Sequence, residues 1–151
     1  MSDIEKILEY INSYYNSYYR IDSLYNEWAA DHGIKDTTLF VLDEIFIEQE
    51  ECTQRKVSEK LGYPKQTVSF ILNKLEEQGI ICREKLPHDQ RNNLVRFTED
   101  GMKYAEKILV EMKNAEIEAY QSMTDKEQMA VTAGMEILAS ALEKSFQKRK
   151  K

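Results

Sequence analysis

The sequence predicts a mostly α-helical fold with one small two-stranded β-ribbon, and three observations carry this prediction. Long stretches near both ends repeat apolar residues at three- and four-residue spacing, which is the period of an amphipathic helix. Two shorter helical segments meet at Gly62-Tyr63-Pro64, and two strand-like segments follow Gly79. Two helices joined by a tight turn and followed directly by a ribbon are typical of a winged helix-turn-helix, an α+β arrangement.

The outer helices are bounded by clear signals. The first should continue to Gly33, because no Pro or Gly precedes that residue. Asp36 is expected to cap a second helix, which the polar residues 48–51 close. Everything after Thr98 is predicted to form a fifth and a sixth helix, and Thr124-Asp125-Lys126-Glu127 has the pattern of a capping box that starts the sixth.

The central segment has equally clear signals. Thr53 is expected to cap a short third helix that ends at Gly62. Pro64 suits the first turn of a fourth helix, because its missing N–H would have no helical partner there, and Gly79 follows that helix. The ribbon is predicted from strands at residues 80–86 and 94–98, joined by a turn at residues 87–93.

The chain has 151 residues, of which 42% are hydrophobic and 32% charged, the balance of an ordinary globular protein. We expect one domain over residues 1–151, with a winged-helix lobe at residues 37–98 and a helical lobe at residues 1–33 and 99–148. No run of roughly 18 apolar residues indicates a membrane span, and the acidic N-terminus does not resemble a secretory signal. We therefore expect a cytoplasmic location.

Motifs of enzymes, metal sites and cofactor sites are missing from the sequence. It has no Gly-rich phosphate loop, no G-x-S-x-G and no H-E-x-x-H. His32 and His88 are the two histidines and lie far apart, which argues against clustered zinc ligands. Cys52 and Cys82 match no C-x-x-C pattern, so we expect reduced, partly buried thiols.

Charge is distributed unevenly. The whole chain carries −6, yet residues 53–98 hold nine basic and five acidic residues. This segment is therefore +4 and the remainder −10. Because phosphate affinity depends on a local field that is screened beyond roughly 10 Å, the distant acidic residues need not prevent nucleic-acid binding.

Three short motifs occur in register with the predicted helices. Residues 75–83 read Leu-Glu-Glu-Gln-Gly-Ile-Ile-Cys-Arg, residues 87–91 read Pro-His-Asp-Gln-Arg, and residues 97–101 read Phe-Thr-Glu-Asp-Gly. Together they resemble the MarR family over nearly the whole chain, since its members show Leu-Glu-x-x-Gly-Leu-Ile-x-Arg, Asp-x-Arg and Leu-Thr-x-x-Gly at corresponding places. The resemblance implies a transcriptional regulator, usually a repressor, which binds pseudo-palindromic double-stranded DNA as a two-fold dimer and often releases it when a small molecule binds.

The fourth helix has an apolar and a polar face at about 100° per residue. Such a helix fits the DNA major groove, where amides can bridge an adenine edge and an apolar group can meet a thymine methyl. Phe70 points outward, and packing against the wing or the first helix is an equal alternative for it. The predicted DNA-binding residues of this helix are Lys65, Gln66, Thr67, Ser69, Phe70, Asn73 and Lys74.

Arg91 in the ribbon turn is the predicted minor-groove reader, because a guanidinium is attracted to the negative potential of a narrow A·T-rich groove. Asp89 is expected to orient it through a bidentate pair; the alternative is a solvated turn with a weak surface ion pair. Further basic residues are predicted to contact phosphates, which positions the protein without reading sequence. They are Arg55, Lys56, Arg83 and Arg96.

The first helix holds six of the nine tyrosines and the one tryptophan. Two interpretations stay open: packing between the helices of two subunits, or a cleft for a small aromatic effector, which the resemblance raises. Residues of that cleft would be Tyr14, Tyr15, Tyr18, Tyr25 and Trp28. Peroxide-sensing relatives use a cysteine in the first-helix region, and this chain has none there.

A homodimer is predicted from the apolar faces of the first, fifth and sixth helices, because leaving them in water costs roughly 25 cal/mol per Å². These faces carry Ile4, Ile7, Ile11, Ile108, Met112, Leu138 and Leu142. The rival function is a winged helix that binds protein and not DNA. Such a module would be expected to lack the basic segment and the wing arginine.

Overall fold

The computed structural model describes residues 1–150, and it confirms the mostly helical fold with a two-stranded antiparallel wing. A short 3-10 turn, Gln49–Glu51, connects the second and third helices. The elements are α1 Asp3–Asp31, α2 Asp36–Glu48, α3 Gln54–Leu61, α4 Lys65–Glu77, β1 Ile81–Leu86, β2 Asp89–Phe97, α5 Glu99–Gln121 and α6 Asp125–Gln147.

The chain divides into two compact units, Met1–Leu109 and Val110–Lys151, and α5 begins in the first and ends in the second. The core of the first unit collects apolar side chains from α2, α3, α4 and the wing, which burial removes from water. Its fully buried members include Leu39, Leu42, Ile45, Val57, Val68, Leu72, Ile81 and Val95.

Three of the predicted helix-boundary signals are confirmed. The Thr53 hydroxyl accepts a hydrogen bond from the backbone N–H of Lys56 at 3.2 Å, which caps α3. Thr124 and Glu127 form the reciprocal capping box of α6, with bonds of 3.2 and 2.8 Å. Gly62 ends α3 in the left-handed region at φ +65°, where a residue without Cβ pays no steric penalty.

Two predicted helix starts are wrong by one residue. Lys35, not Asp36, is the N-cap of α2, and no side chain caps it. Asp36 is instead the first helical residue, where a carboxylate interacts favourably with the helix dipole. Pro64 is the N-cap of α4 rather than part of its first turn, because its ψ of 144° is extended and the helix begins at Lys65.

The wing is longer than predicted. β1 pairs antiparallel with β2 from Ile81 opposite Phe97 to Lys85 opposite Asn93, and the register then shifts to place Leu86 opposite Asp89. Residues 89–93, predicted as turn, are therefore part of β2. Their polar side chains did not indicate a strand, since a ribbon solvated on both faces does not need alternating apolar residues.

The ribbon is tied to the helices at what we call the wing base, formed by Cys52, Ile80, Val95, Thr98 and Gly101. The carbonyl of Cys52 accepts from the N–H of Val95 at 2.8 Å, and the carbonyl of Ile80 accepts from the N–H of Thr98 at 3.0 Å. Thr53 and Leu94 also form an isolated antiparallel β-bridge. Backbone pairing therefore connects the β2 edge of the wing to the segment before α3, and the bond between Ile80 and Thr98 closes the ribbon at its base.

The start of α5 shows why Thr and Gly occur at residues 98 and 101. The Thr98 hydroxyl donates to the carbonyl of Gly79 at 2.5 Å and accepts from the N–H of Gly101 at 2.9 Å. A Cβ on Gly101 would overlap the backbone carbonyl of Ile80. The hydroxyl caps the helix, and the missing side chain lets α5 pass directly over the wing base.

Apolar side chains on α1 and α6 are exposed in a single chain. Exposed fractions are 53% for Ile7 and 45% for Ile11 on α1, and 54% for Met135 on α6. Two members of the predicted dimer face differ, because Ile108 and Met112 are already buried within one chain and need no partner to cover them. No helix in the described residues is long and apolar enough to cross a membrane.

The two cysteines differ in burial. Cys52 is buried as predicted, whereas the prediction was wrong for Cys82, which is exposed on β1. Among residues 1–150, no other element packs on the outer face of the two-stranded ribbon at Cys82, so a side chain there stays in contact with water. Burial, together with the nearby acidic Glu44 and Glu48, raises the pKa of Cys52 to about 12, so its thiol stays protonated at neutral pH.

Candidate nucleic-acid interface

The turn between α3 and α4 is fixed by backbone and side-chain bonds. Gly62 supplies the left-handed residue, and the Ser58 hydroxyl donates to the carbonyl of Tyr63 at 2.8 Å. Val57 of α3 and Leu72 of α4 are both fully buried. The turn therefore presents α4 at a defined angle to α3, as a helix-turn-helix requires.

α4 has the two faces that the sequence predicts. Val68, Ile71, Leu72 and Leu75 are buried. Five of the seven predicted DNA-binding residues are exposed between these positions and the other two are half-buried, so the helix offers a surface of about three turns. The exposed ones are Lys65, Gln66, Phe70, Asn73 and Lys74, and the half-buried ones are Thr67 and Ser69.

Phe70 remains 60% exposed, so most of its ring is free of the wing and of the first helix. The ammonium group of Lys74 lies 4.9 Å from the ring centroid, within the range of a cation–π interaction. An exposed aromatic ring on the polar face of α4 adds an apolar contact surface beside a positive charge. In the DNA major groove, an apolar ring can contact a thymine methyl group and a positive charge can bond a guanine edge.

Arg83 on β1 faces several acceptors and has only 16% of its side chain exposed. Its guanidinium donates to both carboxylate oxygens of Glu76, at 3.3 and 3.1 Å. It also donates to Asn73 Oδ1 at 2.5 Å and to Gln54 Oε1 at 3.5 Å. The hydrogen bonds from Arg83 hold the pKa of Glu76 below its usual value, because they stabilise the ionised carboxylate.

A groove of about 540 Å³ separates α3 from the outer end of the ribbon, which we call the wing tip (residues 87–92). Three basic residues surround this groove, Arg55 from α3, Lys65 from α4 and Arg91 from the wing tip. Two acidic residues, Glu59 and Asp89, also line it. The arrangement brings positive charge from three separate elements to one surface, as phosphate binding requires.

The wing tip is held by backbone rather than by side-chain ion pairs. Asp89 Oδ1 accepts from the backbone N–H of Arg91 at 3.1 Å, an Asx-type turn. Asn92 Oδ1 accepts from the backbone N–H of Arg55 at 3.4 Å. The expected bidentate pair between Asp89 and the Arg91 guanidinium is not formed; one carboxylate oxygen of Asp89 bonds the Arg91 amide instead. The guanidinium is exposed and has no carboxylate partner among residues 1–150.

The other predicted phosphate contacts have mixed surroundings. Arg55 pairs with Glu59 at 2.9 Å, with both side chains about two-thirds exposed. Lys56 lies 3.3 Å from Glu48. Such exposed pairs contribute little energy and exchange readily for a phosphate. Arg96 is exposed on β2 beside a separate cavity of about 430 Å³ that two glutamates also line.

The aromatic residues of α1 fall into two groups. Tyr14 lies 5.4 Å from Tyr15 and 6.0 Å from Tyr18, measured between ring centroids. Tyr25 instead packs on Phe40 at 5.5 Å, and Trp28 Nε1 donates to the carbonyl of Ile108 at 3.0 Å. The first group forms a row of neighbouring rings, in which Tyr14 is half-buried and Tyr15 and Tyr18 are exposed. The second group connects α1 to α2 and α5.

In the described part of the chain, no group of three or more His, Cys, Asp or Glu side chains lies together. His32 uses its Nδ1 in a 2.7 Å contact with the carbonyl of Trp28.

Comparison with known proteins relates this arrangement to a family. The MarR family model matches residues 32–92, the segment that contains the helix-turn-helix and the wing tip. Over these residues the chain is similar to the MarR family. A MarR family regulator from Neisseria meningitidis superimposes with a TM-score of 0.76 at 25% identity, covering 99% of this chain and 100% of that one.

Two other similar proteins are informative. The organic hydroperoxide resistance transcriptional regulator of Bacillus subtilis is 37% identical over 62 residues, 41% of this chain and 42% of that protein. The chain spans about half the length of the curated relatives it matches. MepR of S. aureus, solved as a DNA complex, shares the fold with a TM-score of 0.72 at 19% identity, over 88% of this chain and 97% of that one.

Two residues of the groove between α3 and the wing tip were missed from the sequence. Gln54 and Asn92 both line the groove beside Arg91, and Gln54 also accepts from Arg83. Gln54 is the first residue of α3. Its position in the first turn of the helix-turn-helix could have identified it as a candidate. Asn92 carried no such signal, because it was assigned to a featureless turn.

Proposed function

We propose that the protein is a sequence-specific DNA-binding transcriptional regulator, a repressor of the cytoplasm that acts as a homodimer on a pseudo-palindromic operator. Residues 37–98 form its DNA-binding lobe, and residues 1–33 and 99–148 its dimerisation lobe. The observation that carries the proposal is the position of Arg91 across a basic groove from α3 and the start of α4. α4 reads the major groove and the wing tip reaches the neighbouring minor groove.

The charges predict how DNA affinity depends on salt. Each subunit presents Arg55, Lys65 and Arg91 around the groove, so a dimer contacts about six phosphates. Counterion release from six phosphates gives a slope of about −5 in log affinity against log salt, or about a thousandfold loss between about 50 and 200 mM. A winged helix that binds protein and not DNA is not expected to show this salt dependence, because it releases no counterions from DNA.

Selection from a random pool of double-stranded DNA tests the function directly. The expected result is a pseudo-palindrome whose half-sites are about 10 base pairs apart, centre to centre, because two-fold symmetry repeats α4 on one face of the duplex. Recovery of no common sequence, together with a flat salt dependence, would exclude DNA reading and favour the protein-binding alternative.

The homodimer rests on two apolar stripes that one chain leaves exposed. On α1, Ile4, Ile7 and Ile11 are 45% to 70% exposed, and they recur at three- and four-residue spacing. On α6, Val131, Met135 and Leu142 are 40% to 54% exposed. Stripes at helical spacing need a partner surface, and a second copy supplies matching stripes through two-fold symmetry.

Light scattering at micromolar concentration should give twice the 17.8 kDa of one chain. Ile7→Glu should produce monomers, because it buries a charge in the subunit interface. Ile47→Glu is the matched control, since Ile47 has nearly the same exposure, 54% against 53%, but lies on α2 outside both stripes. A monomeric wild type, or dimers of Ile7→Glu as stable as the wild type, would contradict the assignment.

We further propose that a small aromatic effector relieves DNA binding, with Tyr14, Tyr15, Tyr18, Tyr25 and Trp28 as its contacts. The neighbouring rings of Tyr14, Tyr15 and Tyr18, two of them exposed, support this, because aromatic surfaces favour stacked aromatic ligands. Trp28 is the one tryptophan, so its fluorescence reports binding of benzoate or phenol as probes. Unchanged fluorescence and unchanged DNA affinity at saturating probe would argue against effector binding.

A further inference from the structure

Asn73 lies at the exposed face of α4, and its side-chain amide has a fixed orientation. Its Oδ1 faces the Arg83 guanidinium at 2.5 Å. A guanidinium carries five donors and no acceptor, so the amide atom that faces it is the oxygen. No bond within residues 1–150 uses the amide nitrogen, and its two N–H donors are free for a DNA base.

Arg83 is itself immobilised. Glu76, three residues after Asn73 on α4, accepts from Nε and Nη2 of Arg83, and Gln54 of α3 accepts from Nη1. Four hydrogen bonds to three residues on two helices hold the guanidinium, and only 16% of the side chain is exposed. A guanidinium that donates two hydrogen bonds to one carboxylate keeps its plane and direction.

We propose that Arg83 is a positioning residue that fixes Asn73 as a hydrogen-bond donor, so that Asn73 selects guanine over adenine in the major groove. The inference rests on the proposed function, since it specifies which base the DNA-binding helix reads. It gives Arg83 a role in specificity in place of the phosphate contact that its charge alone indicates.

The chemistry of the base edges gives the preference its direction. An amide that is free to rotate bridges adenine, accepting from N6 and donating to N7. Asn73 has its oxygen occupied, and an adenine amino group approaching that oxygen would also meet the positive charge of Arg83. Guanine offers two acceptors, O6 and N7, which suit a donor. A hydrogen bond from Arg83 to the amide oxygen also strengthens the N–H groups as donors.

The experiment compares base preferences of full-length variants on the operator selected by the wild type. The position read by Asn73 is the one whose preference disappears in Asn73→Ala. There the wild type should bind guanine about tenfold more tightly than adenine, the range of one specific base contact. Arg83→Lys keeps the charge but loses the fork, so this ratio should fall below about threefold while the salt slope stays unchanged.

A second variant keeps Arg83 in place. Asn73→Asp retains an acceptor for Arg83 but has no donor, and carboxylates accept from cytosine N4. The preference at the same position should therefore change from guanine to cytosine. This variant preserves the Arg83 network, so the test survives if Arg83→Lys folds poorly. Arg20→Lys on α1 is the control for losing a guanidinium elsewhere, and its guanine ratio should equal that of the wild type.

The outcomes separate this inference from the proposed function. Selection of no common sequence by the wild type would overturn the function. A selected operator with adenine at the Asn73-dependent position, or an unchanged guanine ratio in Arg83→Lys, would overturn only the role of Arg83. Weaker binding of Arg83→Lys to every base alike would likewise overturn it, because that is the signature of a phosphate contact.

Discussion

The wing base and the wing tip belong to one ribbon but are held by different interactions. At the wing base, Thr98 and Val95 bond to the backbone of neighbouring segments, and Val95 is fully buried. At the wing tip, one carboxylate–amide bond defines the turn, and Arg91 is exposed. Stability therefore concentrates at the base, whereas the tip is free to present charge. Substitutions at the wing base should therefore mainly lower the free energy of unfolding. Substitutions at the wing tip should mainly weaken DNA binding.

Gly101→Ala should have the largest effect on stability. The added methyl would overlap the carbonyl of Ile80, so α5 must move away from the wing base, at a cost of about 3 kcal/mol. Thermal or urea unfolding measures the loss. Gly134→Ala in α6 adds the same methyl where no atom lies within 4 Å, and it should be neutral or slightly stabilising. Equal stabilities of the two variants would contradict the close approach.

Cys52→Ser should have the next largest effect. Cys52 is fully buried, and a hydroxyl placed there without a partner costs about 2 kcal/mol. Cys82→Ser on exposed β1 is the control and should change unfolding by less than about 0.5 kcal/mol. Thiol labelling of the native protein should modify Cys82 and spare Cys52. Rapid labelling of both would show that Cys52 is accessible.

The thiol of Cys52 also predicts a pH dependence. Its pKa is raised from 9.0 to about 12 in the folded protein, so the unfolded chain loses this proton first as pH rises. The associated stability is present below about pH 9 and is lost progressively towards pH 12. Urea unfolding across this range should show a loss that Cys52→Ser lacks. Identical pH profiles for the wild type and Cys52→Ser would contradict the raised pKa.

Thr98→Ala should have a smaller effect of about 1 kcal/mol, because it removes a helix cap. The hydroxyl bonds both Gly79 and Gly101, and Thr98→Ser keeps it. The serine variant should therefore unfold close to the wild type, and the alanine variant earlier. If both lost the same stability, the methyl group rather than the hydroxyl would be responsible.

The sequence predicted the wing base better than the rest of the interface. Thr98 and Gly101 belong to a motif visible in the sequence, and the cap between them acts over three residues, although their contacts with Gly79 and Ile80 span about twenty residues. The Arg83 network could not be predicted in the same way, because its partner Gln54 is 29 residues away and sequence periodicity carries no information on such pairs. The extent of β2 was also missed, since polar residues of a solvated ribbon resemble a turn.

Arg91→Ala should have the smallest effect on stability and a large one on DNA binding. The wing-tip turn uses the backbone N–H of residue 91, which alanine retains, so the turn should persist and unfolding should change by less than about 0.5 kcal/mol. The guanidinium has no carboxylate partner within residues 1–150, so its removal leaves no buried charge.

DNA affinity measured against salt separates the two contributions of Arg91. Losing one phosphate-region charge per subunit should reduce the salt slope by about one unit per subunit. If Arg91 also reads groove width, the loss should be greater on operators with A·T-rich flanks than on G·C-rich ones. Asp89→Asn is the matched control, because it keeps an acceptor for the Arg91 amide while removing a negative charge beside the DNA. It should bind as tightly as the wild type or more tightly. Unchanged affinity and salt slope in Arg91→Ala would mean that the wing tip does not contact DNA, and that the groove between α3 and the wing has another purpose.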